Sequence, residues 1–296
     1  MPCVPEWCVA YFAVVTYDAV CVPLLADFLP QNIADLTRLS DSRLLLLDKN
    51  ILAGLKRDNI IPQFNDIDDF CGLVDVVGLE IHENCGGRLD GMSENVENSF
   101  AARFPNGGTP KHVNYKRENL DVLSVISYTS GTSSSPKGVM LTARSISSNV
   151  QFALTHIPAS NDDKILSILP LAHIFGQIFD FVYPFAAGCH INIFTEKPIP
   201  ARLLKALADV KPYMFLTVPM VIEKVFKSKV IPMLKKPAMR VALSIPLLNK
   251  FLLKKVRDKI VDVFGGNLKH GVIIGGAALN RDVENWMKKM KFPYLV

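Results

Sequence analysis

The chain has 296 residues, of which 49% are apolar and 21% charged. That is material for about two domains of ordinary globular make-up and excludes a disordered or low-complexity chain. Net charge is +5, but residues 1–100 carry six basic and sixteen acidic side chains while the remainder carries 27 and 12. The six cysteines include no C-x-x-C pair, so they read as reduced core thiols rather than a disulfide or metal framework.

Residues 5–17 read as a helix closed by Asp18, a residue type that tolerates left-handed backbone. The segment "AVCVPLL" from Ala19 reads as a buried strand. The surrounding apolar stretch is interrupted by Asp18 and has no basic residues before it, so it suits neither a membrane span nor a signal peptide, and a cytoplasmic location is expected. A helix at "NIADLTRL", a strand at "RLLLLD" from Arg43, a helix over 48–57 and a strand from Gly72 follow. Strands that are apolar on both faces and alternate with helices predict a parallel sheet covered on both sides. Residues 80–120 are rich in Asn, Gly, Glu and Pro and read as an irregular insert.

The strand "VLSVISYTS" then runs into a polar loop, "KGVMLT" reads as a returning strand, and 142–156 as a helix. "HIPASNDDK" marks a subdomain junction, which divides the chain into 1–157 and 158–296. Beyond it the alternation resumes: strand "KILSILPL", an apolar helix ending at Gly188, strand "CHINIF", helix 199–209, strand "YMFLTVP", helix 219–229, a basic segment, strand "GVIIGGAAL", helix 280–290 and a last strand at "PYLV". The expected fold is α/β: two doubly wound, mostly parallel sheets with helices packed on both faces. Residues 221–270 hold twelve basic and three acidic side chains. This is either a solvated helical face or an attractor of anions: nucleotide, coenzyme phosphates or an anionic membrane surface. Only Phe226, Phe251 and Phe264 interleave it, and no nucleic-acid module is present, so nucleic acid is not an expected partner.

The loop "YTSGTSSSPKGVML" begins at Tyr128. A strand that feeds a loop of glycine and hydroxyl residues offers backbone N–H and side-chain O–H donors together, which suits phosphate oxygens. Lys137 adds a cation. The Walker pattern fails, because Pro136 precedes that lysine and Gly138, rather than Ser or Thr, follows it. On these residues alone, a phosphate cradle and a serine-rich surface turn remain equally open.

The full stretch resembles the phosphate-loop signature of the adenylate-forming superfamily of acyl-CoA synthetases, luciferases and adenylation domains, roughly Y-T-S-G-T-T-G-x-P-K-G-V. Ser133 stands where the family has Thr, and Ser134 where it has Gly. "LPLAHIFGQ", "VPMVIEKVF" and "GVIIGGAALN" resemble further family segments in the same order, with Met220 in place of a family Arg. The combination is most similar to long-chain fatty acid–CoA ligases. The resemblance implies ATP-dependent conversion of a fatty acid to acyl-adenylate and then acyl-CoA, with ATP, Mg²⁺ and coenzyme A taking part. An aryl- or medium-chain-acid ligase and a non-catalytic nucleotide- or acyl-binding module are the alternatives.

By the same resemblance, Thr129, Ser130, Gly131, Thr132, Ser133, Ser134 and Lys137 face the β,γ-phosphates, and Gly275, Gly276 and Ala277 lie against adenine. His173 sits near the acyl carboxylate, with Lys137 and His173 as the catalytic pair. Phe175, Ile178 and Phe179 line the acyl chain. The residues themselves leave His173 open as a helix cap, and the three apolar residues open as ordinary core. No protein-held metal is expected. Contact of basic 221–270 with a membrane surface and a homodimer are the expected associations.

The family's aromatic-G-x-T-E motif would follow "FPYLV", and the small C-terminal domain would come later still. The stretch read here is therefore expected to be most of the large N-terminal domain. On its own it is expected to give no ATP–pyrophosphate exchange with palmitate, and robust exchange would overturn that expectation.

Overall fold

Proline sets where many of the helices begin, since a first-turn position needs no N–H and the ring already holds the helical φ. The computed structural model describes residues 4–109, 119–129, 136–196 and 199–296. By contacts the chain falls into two units, Met1–Ser145 and Ile146–Val296.

In the first unit, α1 (Pro5–Thr16) and α2 (Pro30–Leu39) both open on proline. Asp18 takes the left-handed conformation expected of it, at φ 63°. The predicted strand at 19–25 is reduced to a single parallel bridge between Cys21 and Val125; Pro23 has no N–H with which to extend a ladder. Strand β1 (Leu44–Leu47) leads into α3 (Lys49–Arg57), whose N-cap Asp48 accepts hydrogen bonds from Asn50 N at 2.7 Å and Ile51 N at 2.9 Å. Strand β2 (Gly72–Asp75) pairs parallel with β1 and antiparallel with β3 (Ile81–Asn84). The buried carboxylate of Asp75 accepts from Val77 N and Gly78 N and so closes the turn between them.

Residues 80–120, expected to be irregular, therefore hold β3 and also α4 (Met92–Arg103). Residues 94–103 of that helix are exposed throughout, so it lacks the apolar stripe by which a helix is read from sequence. Strands β4 (Leu123–Thr129) and β5 (Lys137–Thr142) form an antiparallel hairpin, and α5 (Ala143–His156) follows directly. The core of this unit gathers Ile33, Leu47, Leu55, Phe64, Phe70 and Leu73 between the helices and the β1–β2–β3 sheet.

The second unit is built on β6 (Lys164–Ser167), β7 (His190–Ile193), β8 (Met214–Thr217), β9 (Gly271–Ile274) and β10 (Tyr294–Leu295). All are parallel, in the order β10–β9–β8–β6–β7. Alternate residues enter opposite cores. Leu166, Phe215, Val272 and Ile274 belong to one, and Ile165, Met214 and Leu216 to the other. This is the doubly wound arrangement that strands apolar on both faces require. Counted from β6 the order is 2-1-3-4-5, so the winding reverses between β6 and β8.

The first core is covered by α8 (Pro200–Val210), α9 (Pro219–Val225), α10 (Ile231–Leu234), α11 (Pro237–Ser244), α12 (Pro246–Val263) and α13 (Arg281–Met290). The other is covered by α5 and by a helical stretch made of α6 (Ile174–Gly176), a π-helical Gln177–Val182 and α7 (Tyr183–Ala186). That stretch ends at Gly188, φ 78°, as the sequence predicts.

Gly176 is where this stretch meets the chain leaving β6. A Cβ there would lie 2.6 Å from the carbonyl oxygen of Pro170 and 3.0 Å from Leu169 Cβ. Backbone would have to move to admit it. Gly176→Ala is expected to cost about 1–3 kcal/mol of stability in urea unfolding; an unchanged midpoint would show that this contact does not hold residues 168–173 in place.

Candidate functional site

Residues predicted to act together fall in both units. In the second unit they converge at the carboxyl ends of the parallel strands, beside the reversal between β6 and β8, where open α/β sheets bind their ligands. His173 follows β6, Val218 follows β8, and Gly275–Ala277 follow β9.

The contact that joins these turns is the ring of Phe175 against Gly275. A Cβ at 275 would stand 2.5 Å from Phe175 Cζ and 2.8 Å from Cε1, so only glycine leaves room for the ring. Gly275 N donates to Thr217 O at 3.1 Å, which ties the same turn to the end of β8. Gly276 takes φ 87° and faces Val218 Cγ1. Beyond it, Asn280 N donates to Glu223 Oε1 at 2.9 Å, and Lys227 Nζ bonds the other oxygen of that carboxylate at 2.7 Å. The Asn280 side chain in turn caps α13 by accepting from Asp282 N and Val283 N.

His173 is exposed, and its Nδ1 accepts from Phe175 N at 3.3 Å. The cap reading and the site reading are compatible: with Nδ1 occupied as acceptor, Nε2 carries the proton and is free to donate to an incoming oxygen. Phe175 and Phe179 are half-buried with ring centroids 5.3 Å apart, whereas Ile178 is enclosed in the core with Tyr213 and Met214.

The turn that carries His173 is gripped from below. Asp180 is fully buried, and its Oδ2 accepts from Ile168 N at 3.1 Å and Leu169 N at 3.0 Å. Burial pushes its carboxyl up from 3.8 to about 7, against the pull of those two N–H groups. Ser167 adds a smaller pull in the same sense, without forming a hydrogen bond of normal geometry through its Oγ. The His173 turn closes through His173 N to Pro170 O at 3.0 Å and Gln177 N to His173 O at 2.9 Å.

In the first unit, Thr129 and Lys137 face each other as the last cross-strand pair of the β4–β5 hairpin. Thr129 Oγ1 lies 3.5 Å from Lys137 O, and both residues are exposed. One pair inward, Gly138 sits opposite Tyr128, where a Cβ would come within 2.9 Å of Ile126 Cγ2. Ser130, Gly131, Thr132, Ser133 and Ser134 lie outside the described residues. Among the described residues, no three His, Cys, Asp or Glu side chains are grouped so as to hold a metal ion.

Gly176, Asp180 and Glu223 were not singled out from sequence. A lone carboxyl in the apolar run "IFGQIFDFV" was the available signal for Asp180, and the Glu inside "VPMVIEK" for Glu223.

A parallel sheet wound both ways, with its candidate residues at the carboxyl edge, places the second unit in the α/β class whose open sheets bind ligands at that edge. The family model described as AMP-binding enzyme matches residues 1–294, and the chain belongs to that family. It is 30% identical over 276 residues to long-chain-fatty-acid–CoA ligase 5 of Mus musculus, covering 87% of this chain and 36% of that protein. Long-chain-fatty-acid–CoA ligase 5 of Rattus norvegicus is 28% identical over 279 residues, with the same coverage. The chain thus spans about a third of the length of these relatives.

Among solved structures, the anthranilate CoA ligase AuaEII in complex with anthranoyl-AMP superposes with TM-score 0.69 at 14% identity, covering 99% of this chain and 48% of that one. ATP-bound MatB from Rhodopseudomonas palustris does so with TM-score 0.64 at 18% identity, covering 100% and 48%. At those identities the likeness concerns the fold.

Asp180 gives the unit a pH signature. Its folded-state pKa is raised, so its contribution to stability is complete below pH about 4, falls as the unfolded chain ionises, and levels off above about 7. Within that window the slope from this one group is at most about 1.4 kcal/mol per pH unit. Asp180→Asn cannot ionise and is expected to flatten the stability profile between those limits in chemical unfolding. Identical slopes for the two proteins would mean that Asp180 is already ionised in the folded state.

Proposed function

We propose that this chain forms the ATP- and acid-binding part of an AMP-forming acid–thiol ligase whose acid is a long-chain fatty acid. The observation that carries the reading is the Phe175 ring seated on Gly275. It joins the His173 segment and the Gly-Gly-Ala turn into one surface at the carboxyl edge of the sheet.

In this reading the adenine of ATP lies against Gly275, Gly276 and Ala277, where the missing side chains let a flat base approach the backbone. Thr129, Ser130, Gly131, Thr132, Ser133 and Ser134 donate to the β,γ-phosphates, and Lys137 supplies a positive charge beside them. A fatty acid carboxylate oxygen bonds to the α-phosphorus as the bond to the β-phosphate oxygen breaks, and pyrophosphate leaves with the electron pair. Charge builds on the leaving group, and preplaced donors with one cation lower that barrier. His173, donating from Nε2, orients the carboxylate before the attack and holds the acyl-adenylate carbonyl oxygen after it. The sulfur of coenzyme A then bonds to the acyl carbon, AMP departs with the bonding pair, and the thiol proton passes to solvent. Mg²⁺, when bound, would offset the charge of the phosphates; among the described residues no three His, Cys, Asp or Glu side chains are grouped so as to hold a metal ion.

Phe175 and Phe179 present apolar surface to the alkyl chain, where each CH₂ removed from water gains about 0.8 kcal/mol. Ile178 backs them from within the core. The identity to long-chain-fatty-acid ligases supports this acid over an aryl or medium-chain one. The reading extends to self-association and to peripheral contact of basic 221–270 with a membrane, where such acids reside. No helix among the described residues is long and apolar enough to cross one.

Purified full-length protein offered ATP, coenzyme A and a panel of acids is expected to release AMP most rapidly with palmitate. Lys137→Ala is expected to lower kcat/KM about 10²–10³-fold without unfolding the protein, since the side chain is exposed. Preference for benzoate-type acids would replace the substrate, and absence of AMP release with every acid would remove the ligase reading altogether.

A further inference from the structure

From Lys224 to Arg257 the chain contains no Asp or Glu. This stretch ends in α11 and α12, which meet at Ile245–Pro246. The corner is pinned from inside: Asn249 Nδ2 donates to Leu243 O at 2.8 Å, and Ile245 N to Ala242 O at 3.3 Å. Its outer side is both apolar and cationic. Val241 is 67% exposed, Ile245 49%, Leu248 38% and Phe251 61%.

Helix α12 turns Val256 and Ile260 into the core. Phe251 and Ile260 are nine residues apart, roughly two and a half turns, and so occupy opposite faces. Leu248 precedes Phe251 by three positions, while Lys254 and Lys255 follow it by three and four, so all share the outward face. Among the described residues, the ion pairs of this stretch are Lys227–Glu223 and Arg257–Asp258. Lys235, Lys236, Arg240, Lys250, Lys254 and Lys255 are exposed and have no acidic partner there.

We propose that this corner docks on an anionic lipid surface, with Phe251 and its apolar neighbours entering the interface and the surrounding lysines meeting lipid phosphates. The proposal narrows the membrane contact named above to one surface and rests on that part of the reading; it does not depend on ligase activity. An amphipathic helix with lysines around large apolar side chains is the form that lies in a membrane interface. A second copy of the chain would set cation against cation at this face. A nucleic acid would use the lysines but leave Phe251, Val241 and Ile245 in water, because phosphate contacts need no apolar side chains.

The test is flotation of the full-length protein with vesicles of phosphatidylcholine alone or mixed with phosphatidylglycerol. Binding is expected to the mixed vesicles only and to fall as salt is raised. Lys254→Ser with Lys255→Ser is expected to lower partitioning by an order of magnitude or more, at about fivefold per charge. Phe251→Ser, which leaves charge unchanged, is expected to lower it about tenfold while the circular dichroism spectrum stays that of the parent. Equal binding to neutral vesicles, or no loss in Phe251→Ser, would overturn the proposal. So would a dimer in light scattering that Phe251→Ser dissolves, or tighter binding to duplex DNA that Phe251→Ser leaves intact.

Discussion

The buried carboxyl of Asp180 is the constraint on which the second unit's candidate site turns. Two consecutive backbone N–H groups at the end of β6 leave the sheet ladder without strand partners, and Asp180 receives both. A buried donor left unpaired would cost about 1–3 kcal/mol, so this grip fixes where residues 168–173 leave the sheet. Gly176 brings the helix close enough for the grip to be made. With the turn held from below, His173 caps the helix start and Phe175 projects across to Gly275.

The sheet then determines what these parts can reach. Because alternate residues of β6, β8 and β9 are buried on opposite faces, neither face is free to bind a substrate. The carboxyl ends of the strands are left, and the winding reversal between β6 and β8 separates the connections there, the place where open α/β sheets bind their ligands. Three turns of different sequence meet at that edge through one absent side chain, that of Gly275. Within the first unit, the β4–β5 hairpin ends on a pair that sets a threonine opposite a lysine.

Much of this was legible in the sequence wherever periodicity or punctuation spoke. The strands from Leu44, Gly72, Lys164, Met214 and Gly271 lie where short apolar runs predict them, and Asp18 and Gly188 adopt the positive φ expected of chain-reversing positions. Helix α4 was hidden because it is solvated along its length, and β3 because it pairs by way of a turn that Asp75 closes. The segment at 19–25 looked like a strand by composition, but Pro23 limits it to one bridge. For the site, the residue types of the polar loop, the histidine and the glycine turn were visible as motifs. The contacts that organise them were not: Phe175 on Gly275 and Asp180 on residues 168–169 depend on distance in space, which no local pattern encodes.

The helical stretch that carries Phe175, Phe179 and Asp180 winds as a π-helix from Gln177 to Val182. A π turn accommodates one more residue than an α turn would, so the side chains beyond it are out of step with ordinary α winding. Tyr183, which donates to Ile157 O and shares a hydrogen bond with Tyr213, meets its partners only with that offset in place. The stretch therefore holds its register by its winding. Exchanging one side chain leaves the offset intact, whereas tightening Gln177–Val182 to α winding at unchanged length would rotate everything after it by about 100° and carry Tyr183 away from Ile157 and Tyr213. Removal of a single residue from the π segment, with α winding restored, would instead leave Tyr183 in phase.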